Sequence, residues 1–255
     1  YVSTPEPVTN YTKLYKKLSE LPGHPMPFQY FGIKKMRMIE RRWFCLRFII
    51  CLYFLVSACA FSAQRTHSEF DAGSKTVEKP VLIPSDFSML ELLPSGMVIR
   101  RDDWSKTGRS NLQNAILSDL KAKKCKLKPL EIDPQTAEEI AEIQALYRLV
   151  HKTMQQQTFN PHQSSNVAGG FDFSLGPIDS ILHKLGADSM IFVSGYDRVS
   201  KSGRKALIEL AIADSSGTIL YYSVKGSIQG NDLRDPASAT AMVQELLAGF
   251  SRTEG

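Results

Sequence analysis

Ala206-Leu207-Ile208-Glu209-Leu210-Ala211-Ile212 and Thr218-Ile219-Leu220-Tyr221-Tyr222-Ser223-Val224, joined by Asp214-Ser215-Ser216-Gly217, decide the fold of this chain. Two apolar runs rich in β-branched and aromatic residues around such a turn read as a β-hairpin. Ile208, Leu210 and Ile212 alternate with Glu209, Ala211 and Ala213, so the larger apolar groups share one face of a half-buried strand. In the second run neither Ile219, Tyr221 and Ser223 nor Leu220, Tyr222 and Val224 form a strongly polar face. Such a strand is expected to be central, or an edge covered by another chain, because an open apolar edge invites pairing. Tyr221 and Tyr222 are therefore candidates for a partner or self-association surface. Met190-Ile191-Phe192-Val193 supplies a third buried strand, linked through Ser200-Lys201-Ser202-Gly203.

Helical patterns surround these strands. Asp235-Pro236 is an N-cap followed by proline, and Ala239, Met242, Val243, Leu246, Leu247 and Phe250 follow it. Pro177 to Leu185 reads as a short helix stopped by Gly186. Asp133-Pro134 opens a long helix with Ile140, Ile143, Leu146, Tyr147, Val150 and Met154 at helical spacing. Ile140, Leu146 and Val150 are expected on its buried face, so Leu146→Ala is expected to cost about 2–5 kcal/mol. His151, on the later turns, is read as a surface or packing residue. Leu112, Ile116 and Leu120 mark a helix after Asp102-Asp103-Trp104-Ser105, with Ser110 as its N-cap and Lys121, Lys123 and Lys124 at its negative end. Pro80-Val81-Leu82-Ile83-Pro84 reads as an edge strand and Leu127 to Ile132 as a short one. Leu90 to Leu93 and Met97 to Ile99 flank the turn Pro94-Ser95-Gly96. Residues 155–173 are expected to form a long irregular loop.

Helices packed on one mixed sheet follow from this order. The expected class is α/β (α+β), a single mixed sheet of about four to five strands with three to four helices.

Upstream of the domain the chain changes character. Arg41-Arg42-Trp43-Phe44-Cys45-Leu46-Arg47 precedes an apolar run of 11 residues, Phe48 to Ala58, and then Cys59. Arginines, a short apolar core and small residues before a cysteine make a bacterial export signal. The core is shorter than the roughly 18 apolar residues a membrane span needs. Val56, Ser57 and Ala58 before Cys59 fit a lipobox with Cys59 as the lipid attachment site. Ala58-Cys59-Ala60 also fits ordinary cleavage after Ala60. The expected layout is a disordered leader or misplaced start over 1–35, a signal peptide over 36–58, a flexible tether over 59–79 and one periplasmic domain over 80–255.

Charge follows the same division. Residues 1–58 hold 9 Lys/Arg and 3 Asp/Glu, a net +6, whereas residues 59–255 hold 22 and 23, a net −1. The basicity therefore belongs to the export segment, and the near-neutral remainder gives no electrostatic reason to bind nucleic acid. Of the four cysteines only Cys125 lies beyond Cys59, so no intrachain disulfide is expected in the domain. In Lys123-Lys124-Cys125-Lys126 its thiol is either activated by the lysines or, more commonly for a free cysteine, simple packing.

Catalytic patterns are short. Ser118-Asp119-Leu120-Lys121 and Ser202-Gly203-Arg204-Lys205 match S-x-x-K and Lys106-Thr107-Gly108 matches K-T-G, but in an order opposite to the penicillin-binding arrangement. His67, His151, His162 and His183 show no metal-ligand spacing, so no metal and no cofactor is expected. Asp102, Asp103, Arg198, Arg204, Arg234 and Asp235 form a candidate polar cluster at strand ends, to be weighed against surface ion pairs and helix caps.

Arg101-Asp102-Asp103-Trp104, Ala145-Leu146-Tyr147-Arg148-Leu149-Val150, Gly186-Ala187-Asp188-Ser189-Met190-Ile191-Phe192-Val193, Ser202-Gly203-Arg204-Lys205-Ala206 and Asp232-Leu233-Arg234-Asp235-Pro236 resemble an uncharacterised family of bacterial envelope lipoproteins over residues 80–252. In layout the domain resembles the α/β periplasmic domains of the curli-secretion and TolB amino-terminal type. The resemblance implies a lipid-anchored, non-enzymatic envelope protein and carries over no catalytic residue. Ala60 after Cys59 resembles lipoproteins sorted to the outer membrane, on its periplasmic face.

The expected function is an assembly, export or interaction module of the cell envelope. Its expected partners are the membrane, through the lipid anchor, and an envelope protein or a second copy. The alternatives are a periplasmic serine-type hydrolase and a small-ligand-binding lipoprotein using the 155–173 loop.

Overall fold

The chain divides into two compact units, Tyr1–Ala58 and Cys59–Gly255. A computed structural model describes residues 61–130, 133–159, 170–228 and 232–250 of the second unit. The expected leader, signal peptide and lipobox residues Val56, Ser57 and Ala58, the expected lipid site Cys59, and positions 160–169 of the expected loop lie outside the described residues.

The strands are β1 (Phe61–Thr66), β2 (Pro80–Leu82), β3 (Asp86–Leu92), β4 (Val98–Arg100), β5 (Ser189–Ser200), β6 (Gly203–Asp214) and β7 (Ile219–Ile228). The helices are α1 (Ser68–Asp71), α2 (Asp102–Ala122), α3 (Pro134–Phe159), α4 (Asp179–Leu185) and α5 (Pro236–Leu246). One mixed sheet runs β1-β7-β6-β5-β3-β4, with β2 also parallel to β5. The class is the expected one, with more strands than the four to five anticipated. β2 and β3 both pair along β5, interrupted at Ile83-Pro84-Ser85, so they share one line of the sheet. Pro80–Leu82 pairs with β5 on one side and on the other meets only an isolated bridge from Val81 to Lys128, and it is fully buried.

The β5-β6-β7 meander forms as its alternation dictates. Ile191, Val193, Ile208, Leu210 and Ile212 face α2 and α5, while Met190, Phe192, Ala211 and Ala213 face α3 and α4. A bulge between Ile212 and Ala213 turns Leu220 and Tyr221 toward the same side, which blurs the alternation of β7. Gly195 has φ +144° in mid-β5, and a Cβ there would lie 2.1 Å from the Leu207 carbonyl oxygen, so only glycine fits.

The largest correction concerns the expected tether over 59–79. β1 pairs antiparallel with β7, from Phe61 opposite Gly226 to Thr66 opposite Tyr221. Phe70 of α1 stacks on Phe250 at 5.8 Å, and Val77 is buried. β7 is consequently interior, and Tyr221 and Tyr222 are fully buried rather than an association surface. The Tyr221 hydroxyl donates to the Leu246 carbonyl oxygen at 2.6 Å under α5, and the Tyr222 hydroxyl donates to Glu209 at 2.5 Å under α3.

The helix boundaries follow local chemistry in part. Asp133 accepts from the Thr136 amide and hydroxyl at 2.8 and 2.9 Å, and Asp235 accepts from the Ser238 amide at 3.0 Å, so both Asp-Pro starts are real caps. Gly186, at φ +61°, ends α4 as expected. α2 starts at Asp102, upstream of the expected Ser110 cap, and α3 continues through Phe159 into the expected loop. Residues 127–130 form only an isolated bridge, from Lys128 to Val81. Cys125 is buried, in keeping with packing.

Candidate functional site

The expected polar cluster assembles in part, at the end of the sheet where β5 and β6 turn. Arg204 of β6 lies 3.0 Å from Asp197 of β5 and 2.9 Å from Asp232, in the segment leading to α5. Arg234 grips Asp232 through Nε and Nη2 at 3.0 and 2.7 Å. The guanidinium of Arg234 covers one side of Trp104 at 4.4 Å, and that of Arg101 lies 4.3 Å from the same ring. Arg101 is held by Glu91 at 2.8 Å and Asp103 at 3.5 Å. The cluster therefore gathers Asp103, Arg204 and Arg234 with four residues not anticipated in this role, Arg101, Trp104, Asp197 and Asp232. Among the described residues Asp102 pairs with Arg100 alone, Asp235 caps α5, and Arg198 points from the opposite face of the sheet. Asp197 sits on a strand that reads as apolar. Its only sequence signal is a charge between Tyr196 and Val199 at a position where the alternation requires an inward side chain.

Burial sets the electrostatics. Asp197 is fully buried, and desolvation pushes its carboxyl up to about 6 against the pull of Arg204. The Arg204 Nε and Nη2 atoms are buried without an aligned hydrogen-bond partner. Hydrogen bonds from Arg234, and then Arg204, hold Asp232 well below the usual carboxylate range. The sign for Asp197 follows from its raised folded-state value. Between about pH 4 and pH 6 the folded state binds more protons than the unfolded chain, so this group's contribution to stability falls as pH rises through that window. Asp232 acts oppositely, adding stability that is lost as pH falls below about 4. As pH drops from 6 to 4 the urea midpoint of the parent should therefore rise relative to that of Asp197→Asn, whose neutral amide does not titrate. Parallel curves across that window would show that Asp197 does not titrate there.

The sheet face under α3 holds a second buried polar group. Glu209 of β6 receives the Gln155 amide at 2.6 Å, the Tyr222 hydroxyl at 2.5 Å and the His151 imidazole. His151 is therefore a packing residue with a buried carboxylate partner. All three partners come from the fold itself, and Glu209 is almost wholly buried beneath α3.

Neither serine pattern builds a site. Ser118 is exposed on α2, Ser202 shares a turn hydrogen bond of 3.1 Å with Ser200, and the Thr107 hydroxyl donates to the Asp103 carbonyl oxygen. Two clefts of about 180 and 260 Å³ flank the break at Ile83-Pro84-Ser85, one lined by Tyr147, Arg148 and Phe192 and the other by Leu112, Ile116 and Leu130. Both fall below the roughly 300–1,000 Å³ usual for small-molecule sites.

Open surface lies instead along β4. Among the described residues it pairs with β3 on one side only, through Leu90–Arg100, Glu91–Ile99 and Leu92–Val98. Met97, Val98 and Ile99 are 56, 49 and 36% exposed, three consecutive large apolar residues at a free sheet edge.

No family model and no curated protein matches the chain. Among solved structures, the chain is similar to the PelC dodecamer from Paraburkholderia phytofirmans, at 11% identity and TM-score 0.33, over 74% of this chain and 96% of that one. It is also similar to lipoprotein GNA1162 from Neisseria meningitidis, at 10% identity and TM-score 0.28, over 60% and 81% of the two chains. The third is the LpoB C-terminal domain from Salmonella enterica, at 11% identity and TM-score 0.26, over 61% and 86%. Likenesses of this size carry no statement of function for this chain.

Proposed function

We propose that this protein is a lipid-anchored envelope protein whose α/β domain acts without catalysis, as an interaction module in assembly or export. In this reading Cys59 carries the lipid, and the domain stands on the periplasmic face of the outer membrane. The observation that supports it is the β4 edge. Sheet proteins normally blunt an open edge with charge, proline or a covering segment. Here Met97, Val98 and Ile99 stay exposed on a strand that has a neighbour on one side only among the described residues, an arrangement that can accept a strand from a partner.

The test is mild crosslinking in intact cells, comparing the parent with a Met97→Asp/Val98→Asp variant. Both positions are exposed, so stability should change by no more than about 0.5 kcal/mol. Partner adducts are expected to disappear in the variant. Adducts of unchanged yield would remove the β4 edge as the docking site. Palmitate labelling that is lost in Cys59→Ser is the companion measurement for the anchor.

A further inference from the structure

Among the described residues, the face of the sheet that α3 covers is open at one end, where Tyr196 and Lys205 are exposed. α3 reaches the row of Ser194 and Glu209, which are opposite each other on β5 and β6. Two residues further along, the strands align Phe61, Gly226, Leu207 and Tyr196, and Tyr196 is 38% exposed. Two residues beyond that, Arg198 and Lys205 are direct cross-strand partners on the same face. Like charges placed directly opposite each other destabilise a sheet. Yet among the described residues neither side chain has an anionic partner, and neither does Lys201 in the adjoining turn. Among the described residues, three cations without an anionic partner therefore stand beside an exposed tyrosine at this end of the apolar face. That composition matches a membrane interface, where lysine and arginine meet lipid phosphates and tyrosine sits at headgroup depth.

Position relative to the proposed anchor points the same way. β1 begins at Phe61, and the register of the sheet places Phe61 in the Tyr196 row, three strands away. With strands about 4.8 Å apart, that separation is about 14 Å. Cys59 is two residues before Phe61, so its Cα lies within about 7.6 Å of that of Phe61. With Cys59 as the anchor, at most two residues separate the lipid from β1, so this end of the sheet is the one nearest the bilayer. We infer that the face formed by Tyr196, Arg198, Lys201 and Lys205 docks on an anionic phospholipid surface. This inference rests on lipid attachment at Cys59.

The experiment uses the full chain, expressed with its export segment, purified from membranes and labelled with an environment-sensitive dye at Ser202→Cys. It is reconstituted into phosphatidylcholine vesicles or into phosphatidylethanolamine–phosphatidylglycerol vesicles. The dye is expected to shift to the blue only in the anionic vesicles. The shift should fall to the phosphatidylcholine value in Arg198→Gln/Lys201→Gln/Lys205→Gln, and in about 1 M salt, where the Debye length is about 3 Å. Equal emission in both vesicle types from protein that incorporates palmitate overturns the lipid contact and leaves the anchor standing. Failure of Cys59 to incorporate palmitate overturns the anchor, and this orientation with it.

Discussion

Glu209→Ala is expected to destabilise the domain by about 3–5 kcal/mol, because it removes the acceptor shared by three hydrogen-bonding groups at about 1–3 kcal/mol each. Glu209 is 2% exposed in the middle of β6 and accepts from three groups at once, His151 and Gln155 of α3 and Tyr222 of β7. Burial, with Glu209 alongside, pushes the Tyr222 hydroxyl far up, so it stays a proton donor throughout the working pH range. Truncation to alanine would strand all three donors under α3, and an unsatisfied buried donor costs about 1–3 kcal/mol. Against a total stability of about 5–15 kcal/mol, the loss would leave a visibly unfolded fraction. Glu209→Gln keeps one acceptor oxygen and should lose clearly less. Urea denaturation of both variants measures this. Equal and small losses would mean that the α3 contacts to Glu209 contribute nothing.

The second large effect separates two neighbours on α3. Tyr147→Ala is expected to cost about 3–5 kcal/mol, the range for a buried aromatic. Its ring lies between Phe192, at 4.3 Å, and His151, at 5.2 Å, and is almost wholly buried. Leu146→Ala should cost less than about 0.5 kcal/mol because Leu146 is 46% exposed. This reverses the expectation from periodicity. A Tyr147 variant of near-parent stability, with Leu146→Ala severely destabilised, would show the helix rotated from the described phase.

That reversal marks where periodicity runs out. Residues 140–154 carry apolar groups at Ile140, Ile143, Leu146, Tyr147, Leu149, Val150 and Met154, enough for two overlapping stripes. The helix was legible from Asp133-Pro134 and the spacing, but its rotation was set by where Phe192 and Glu209 stand on the sheet beneath it. The same holds for β1. Phe61-Ser62-Ala63-Gln64-Arg65-Thr66 has neither strong alternation nor a turn signal linking it to β7, because its partner lies more than 150 residues away. Local pattern contains no information about that pairing.

What the sequence by itself determined was local. It set the β5-β6-β7 meander through alternation and turns, the two Asp-Pro helix starts, the Gly186 stop, and the α/β class that these elements imply. Those features depend on backbone preferences and capping groups within a few residues of each other. Tertiary structure alone decided that β7 is covered by its own chain, and that Tyr221 and Tyr222 serve the core. It also joined Arg204 to Asp197 and Asp232 and Arg234 to Asp232, and left β4 with a neighbour on one side only among the described residues. Each of these outcomes needs contacts between segments distant along the chain. Exposure and charge pairing are properties of the packed assembly, so no window of sequence can hold them.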